Sequence, residues 1–364
     1  MIGILLAAAL LQESPPAERW YKGNTHAHTL WDDGDALPES VVEWYRGRGY
    51  HFLVLSDHND RNALSGAERW IGQGEARTKL KTFAELSQAC SRPGVFALLP
   101  GQEIGDTFKG KLVHHAVVNT ERILMPPGGD SLRDVMSHAL RDLKSEGDRL
   151  HRPVLAQLAH PNLGWTVSAD DLAAVEERFV EVYSGHPVAL TCGDADHPSV
   201  EGLWDRALTR RLRSGQGPLL YGVACDDAHN YSGRGPAHPG RGWIMVRAKE
   251  LSGDAIVSAM LAGQFYASSG VTLETLVADD CGLRLRVAVE PGAHYRIRFI
   301  GARREGGEAG ILLQESEGPD AYYEFRGDEL YVRAVVLSDR LHPDPTRAGE
   351  VQAAWIQPVV VCRQ

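Results

Sequence analysis

The run Phe52-Leu53-Val54-Leu55 leads straight into Ser56-Asp57-His58-Asn59. Four apolar residues without polar alternation read as a strand of a parallel sheet covered on both faces. The polar residues after it then lie beyond the strand's C-terminal end. The figure recurs along the chain. Residues 95–99 precede Gln102-Glu103, residues 154–158 precede Ala159-His160-Pro161-Asn162, and residues 219–224 precede Asp226-Asp227-Ala228-His229. Thr25-His26-Ala27-His28 and His114-His115 complete six such motifs. If the strands close into a barrel, everything just past their ends gathers at one mouth. Imidazoles and carboxylates brought together there form a metal site.

Between these runs lie helix-like segments, at residues 38–48, 78–90, 131–145, 168–175 and 199–214. With strands at residues 22–26, 51–55, 95–99, 112–119, 153–158, 179–183 and 219–224, the pattern predicts an α/β fold built of repeated strand–helix units. About seven strands is one short of a regular eightfold barrel. After residue 270 the period changes. Residues 283–289, 295–300 and 330–336 alternate apolar with polar side chains, and residues 355–361 look like a closing strand. Half-exposed antiparallel strands of this kind predict a C-terminal β-sandwich over 271–364, behind a barrel over 20–270. The Gly/Pro/His-rich stretch 230–242 follows the last metal motif directly, where it could cover the site.

At 364 residues the chain is long enough for a barrel and an appendage. Its formal net charge of −10 argues against a nucleic-acid footprint. The 5 cysteines show no CxxC spacing and leave the redox compartment open. The apolar run Ile2 to Leu11, followed by Gln12-Glu13-Ser14-Pro15-Pro16, is too short to span a bilayer. It reads as a signal-peptide core, making 1–19 a leader and the protein exported, periplasmic or secreted; no Lys or Arg precedes it, which keeps a cytoplasmic protein open. No other stretch reads as a transmembrane helix, and an oligomer is compatible with the composition.

His26 and His28, two apart at a strand end, share a face. Eight or more such ligands exceed what one tetrahedral ion takes, so the count points to two or three divalent ions, Zn, Mn or Fe. His26-x-His28 with Asp33-Gly34, Asp57-His58-Asn59, Gly101-Gln102-Glu103, the His115 strand, Ala159-His160-Pro161 and Asp227-Ala228-His229 together resemble the PHP (polymerase and histidinol phosphatase) superfamily, in its motif order, over residues 20–270. The resemblance implies a distorted (β/α)7 TIM-like barrel and a trinuclear site. It implies His26, His28, Asp33, His58, Glu103, His115, His160, Asp227 and His229 as ligands, with Glu103 bridging two ions. His114 competes with His115, which is preferred because it begins the apolar strand Ala116-Val117-Val118. Asp226 competes with Asp227, which alone gives the family's Asp-x-His spacing.

Around this set Asp57 reads as an orienter of a ligand, and Asp32 as a solvated loop acid. Asn59 and Asn162 are candidate substrate contacts or ordinary turn residues. Arg61, Arg234 and Arg241 are candidate phosphate binders, because guanidinium matches phosphate oxygens in pairs. His186 faces the same mouth. The leading function is a metal-dependent phosphoesterase acting on a small mono- or diester through metal-activated water, with His186 or Asp57 protonating the leaving group. The rivals are a carbamate or aryl ester hydrolase on the same metals, and a metal-stabilised binding protein without catalysis.

Overall fold

The computed structural model describes residues 18–74 and 77–362, so the expected leader lies almost wholly outside the described residues. The chain opens with β1 (Arg19–Asn24), α1 (Pro38–Arg46) and β2 (Phe52–Leu55), then a small ribbon of β3 (Arg69–Ile71) and β4 (Thr78–Leu80). It continues through α2 (Phe83–Cys90), β5 (Ala97–Phe108), β6 (Lys111–Val118), α3 (Leu132–Leu150), β7 (Leu155–Leu158), α4 (Ala169–Ala174) and β8 (Phe179–Ser184). α5 (Val200–Ser214), β9 (Tyr221–Cys225), β10 (Trp243–Ala248), α6 (Gly253–Leu261) and β11 (Phe265–Ser268) follow. The last part is all strand: β12 (Leu273–Ala278), β13 (Gly282–Val287), β14 (Tyr295–Arg303), β15 (Ile311–Glu317), β16 (Asp320–Glu324), β17 (Glu329–Leu341) and β18 (Val351–Val360).

The apolar runs are strands buried on both faces, as their lack of alternation requires: every residue of β2, β7, β8 and β9 is buried. The helices begin where short polar side chains cap them. Thr82 and Ser168 each close a reciprocal capping box, with Glu85 and Asp171, and Ser131, Ser199 and Ser252 accept from the first turn of α3, α5 and α6.

The expected closed parallel barrel is not what the hydrogen bonds make. The main sheet has 13 strands in the open order β15-β14-β17-β18-β11-β10-β1-β2-β5-β6-β7-β8-β9. Parallel pairing covers β1–β2–β5 and β7–β8–β9 only, because β5 runs on through Phe108 and turns back antiparallel into β6. The turn is made by Lys109 and Gly110, both at positive φ, the geometry that matches a tight hairpin to strand twist. Past their ends, β1 and β9 meet at a single parallel bridge, Ala27 with Ala228.

β18 pairs with β11, so β14, β15, β17 and β18 extend the main sheet. The three-stranded sheet β12-β13-β16 lays Leu273, Leu283, Leu285 and Tyr323 against Ile297, Phe299, Val332, Val336 and Ile356 of β14, β17 and β18. No helix among the described residues is long and apolar enough to cross a membrane.

Candidate metal centre

Glu103 sits on β5, buried and surrounded by rings. Its Oε2 lies 3.3 Å from His26 Nε2, 3.3 Å from His28 Nε2 and 3.6 Å from His58 Nδ1. Its Oε1 lies 2.9 Å from His114 Nδ1 and 3.1 Å from His160 Nε2. Asp227 Oδ1 closes the other side, at 3.4 Å and 3.3 Å from the Nε2 atoms of His26 and His28. His229 stacks on His28 with ring centres 4.0 Å apart, and its Nε2 is 3.2 Å from Asp33 Oδ1. Eight of the nine residues expected as ligands are therefore brought together.

The ninth is a correction. β5 pairs with β6 so that Glu103 faces Ala116, and directly paired residues share a side of the sheet. Two residues along from Ala116, His114 is on Glu103's side. His115, opposite Ile104, points to the other face, where its Nε2 bonds Glu177 Oε2 at 3.0 Å. Gly105, the partner of His114, leaves the room this needs: a Cβ there would stand 3.4 Å from His58 Nδ1 and 3.6 Å from His114 Nε2.

Two carboxylates aim the rings from behind. Glu181 on β8 is fully buried, with Oε1 2.6 Å from His26 Nδ1 and 2.9 Å from Gln157 Nε2, while Oε2 accepts from the His160 amide at 2.9 Å. Asp32 Oδ2 lies 2.9 Å from His28 Nδ1 and accepts from the His58 amide at 2.5 Å. The expected solvated loop acid is thus a half-buried orienter with a shielded carboxylate, and Asp57 holds the backbone instead, accepting from Thr29 N at 2.6 Å and Thr29 Oγ1 at 3.1 Å. With the proton on the Nδ1 that faces Glu181 or Asp32, the Nε2 lone pairs of His26 and His28 point inward.

Those two Nε2 atoms are buried without a hydrogen-bond partner. Unpartnered ring nitrogens beside two carboxylates are the donor set a divalent cation satisfies. Donor atoms lie within 4.8 Å of one another in the overlapping groups His26/His28/Asp227, His28/Asp32/Asp33/His58 and His58/Glu103/His114. The electrostatics agree. Burial alone would push Glu103 and Asp227 up, but the surrounding imidazoles, His26 foremost, hold both well below the usual carboxylate range. Burial likewise opposes protonation of His26, His28 and His160, and the carboxylates around them outweigh it and raise all three.

His160 (φ 27°) and Asp227 (φ 50°) both occupy the left-handed region that non-glycine residues avoid. Such strain costs about 1–3 kcal/mol per residue and is kept where side-chain direction matters.

Asp226 is excluded as a ligand by its own bonds: it accepts from the amides of Gly240, Arg241 and Gly242 at 2.7–2.8 Å and from Tyr45 Oη at 2.7 Å. Arg241 is corrected as a substrate contact. It is 3% exposed and its guanidinium bonds Gly185 O, Pro236 O and Asp344. Asn162 braces two loops, donating to Leu190 O and Pro198 O at 3.0 Å. Arg61 stays exposed beside Asp60. His186 sits at the rim, its ring 5.3 Å from that of His229 and edge-on to it; burial holds its pKa below the ordinary imidazole value. Sequence reasoning missed Glu181, gave Asp32 a different role and preferred His115 to its competitor His114. Only His114 had a readable signal, the Lys109-Gly110 turn that sets the hairpin register.

No family model matches the chain, and no curated protein matches it. Among solved structures it is similar to a two-domain protein from Bacteroides vulgatus described as containing a PHP-like metal-dependent phosphoesterase, at 14% identity and a TM-score of 0.47, covering 96% of this chain and 99% of the other. It is similar to a Bifidobacterium adolescentis protein described as a metal-dependent phosphoesterase (16% identity, TM-score 0.33, 62% of this chain and 91% of the other). It is also similar to an amidohydrolase from Chromobacterium violaceum (17% identity, TM-score 0.33, 59% and 90%), solved with sulfate and no metal.

Proposed function

We propose that this chain is a metal-dependent hydrolase of the PHP type that cleaves small phosphate esters. One observation carries the reading: both oxygens of a single buried glutamate, Glu103, are shared among five imidazoles on four separate strands or strand ends. A carboxylate so placed could serve two ions, one at each oxygen. His26, His28, His58, His114, His160, His229, Asp33 and Asp227 would hold two or three divalent cations around it. When bound, such ions supply Lewis acidity, activation of water near neutral pH and neutralisation of phosphoryl oxygens.

The chain's own residues do the remaining work. Glu181 and Asp32 hold the rings of His26 and His28 in the tautomer that presents Nε2 to the centre. His186 accepts from the Val188 amide at Nδ1 (3.3 Å), so its proton is on Nε2, at the rim where a leaving group would depart. Asp57, buried and bonded to Thr29, is not that donor. Arg61 and Arg234, both exposed, are the remaining candidate arginines to meet a phosphate from solvent. The bridge between Ala27 and Ala228 supports reading β1, β2 and β5–β9 as a distorted seven-stranded barrel closed at its mouth alone, and the apolar run Ile2 to Leu11 supports reading 1–19 as an export leader.

The internal use of Arg241 thins the expected phosphate clamp and favours, as the second reading, a carbonyl ester hydrolase on the same centre. The test is turnover of p-nitrophenyl phosphate, bis-p-nitrophenyl phosphate and p-nitrophenyl acetate by metal-loaded protein. Phosphoester turnover suppressed by free phosphate supports the first reading; acetate turnover alone replaces it with the second.

A further inference from the structure

The arm that carries Asp227 and His229 is closed by a residue from the C-terminal strands. The amides of His229 and Asn230 both donate to Ala237 O, at 3.0 and 2.9 Å, which folds residues 229–242 back on themselves. Arg241 locks that fold: Nη1 donates to Pro236 O at 2.6 Å, beside Ala237, and to Gly185 O at 2.7 Å, beside His186. The guanidinium is buried, and its counter-charge comes from Asp344, in the connection between β17 and β18. Asp344 Oδ1 is 3.0 Å from Arg241 Nη2, Oδ2 is 3.2 Å from Nε, and the Asp344 carbonyl accepts from Nε at 3.0 Å. Oδ2 also lies 2.9 Å from His238 Nδ1, and His342 Nε2 donates to Arg241 O at 3.1 Å. The seat is tight: a Cβ on Gly185 would stand 2.9 Å from Arg241 Cβ.

We propose that Asp344 is a positioning residue for the metal centre, so that the C-terminal strands form part of the catalytic apparatus and are not a passive appendage. The inference rests on the metal reading above. Without the Asp344 carboxylate, Arg241 is a buried cation with no counter-charge among the described residues, and it must leave its seat. Its departure frees Gly185 and Pro236 together, and with them the directions of His186 and His229. Glu103, His58, His114 and His160 are anchored on other strands and keep their places.

The effect is therefore uneven among the ions. In Mn²⁺ titrations of the full chain followed by calorimetry, D344N should weaken the weakest-bound ion by on the order of 10–100-fold, leaving the tightest unchanged. D344E, which keeps the charge, should recover most of that loss. Hydrogen exchange at the His229 and Asn230 amides of metal-free D344N should quicken, with β5 and β6 amides unaffected. Equal weakening of every ion, in step with lowered thermal stability, would reduce Asp344 to a structural residue and overturn the proposal. Wild-type uptake of Mn²⁺ with D344N unchanged also overturns it and spares the metal reading, whereas a wild type that takes up no Mn²⁺ overturns both.

Discussion

Replacing Glu103 by glutamine keeps the shape of the side chain and removes its charge. In the wild type Oε2 stands 3.3 Å from two ring nitrogens and 3.6 Å from a third, so a cation held by those nitrogens is held beside a full negative charge. A unit pair at that distance interacts by roughly 332/(20 × 3.3), about 5 kcal/mol, at the effective dielectric of protein sites. Burying the carboxylate consumes part of it, leaving about 2–3 kcal/mol, or roughly 30- to 150-fold in dissociation constant. The amide nitrogen would also donate to the inward Nε2 lone pairs of His26 and His28 and so compete with a cation for them, and the bridge fails on both counts. Calorimetric titration with Mn²⁺ or Zn²⁺, with p-nitrophenyl ester turnover on the same samples, should show at least one ion lost at micromolar metal and activity lost with it. An E103Q protein that binds the full complement at unchanged affinity would refute the bridging role.

The two adjacent histidines separate cleanly. His114→Ala should weaken metal binding on the order of tenfold or more without unfolding the chain, whereas His115→Ala should leave metal binding alone and cost about 2–3 kcal/mol in denaturant unfolding, because Glu177 loses its buried partner. Asp205→Ala should destabilise by about 3–5 kcal/mol, since Asp205 pairs with the buried Arg333 through two bonds of 2.8 and 2.6 Å and also accepts from Tyr331 Oη; adding Arg333→Met should recover much of the loss. Glu146, held down to about 2 chiefly by its bonds to Arg149, contributes stability that is present above the unfolded carboxylate pKa near 4.5 and fades as pH falls toward 2. With Arg149 and Arg122 half-exposed and screened, that is about 1–2 kcal/mol. Wild type and Glu146→Gln should converge in stability below pH 3, and a gap independent of pH would contradict the assignment.

Much of the centre could be read from the chain because its ligands follow apolar runs. β2, β7 and β9 are too short and too predominantly apolar to be read as anything but buried strands, and whatever follows them must come to one edge. Where that logic failed, the cause was pairing between distant segments. Residues 95–99 and 112–119 read as two successive parallel strands, and only the hairpin turn at Lys109-Gly110 shows that they are antiparallel; a register one residue different would have placed His115 inward. Glu181 carried no local mark, since a carboxylate inside Phe179–Ser184 looks like an exposed residue on an alternating strand until its neighbours are known. Arg241 looked free for the same reason, as its counter-charge Asp344 is 103 residues away. The continuity of the sheet through β11 and β18 was equally hidden, because nothing local in a strand names its partner.

The central claim is a multinuclear centre bridged by Glu103, and crystals grown with Mn²⁺ or Zn²⁺ test it most directly. Anomalous difference density collected on either side of the metal edge should show two or three peaks, at least two of them bonded to Glu103 oxygens and none to His115. A single peak, or peaks that leave Glu103 unligated, would contradict the account.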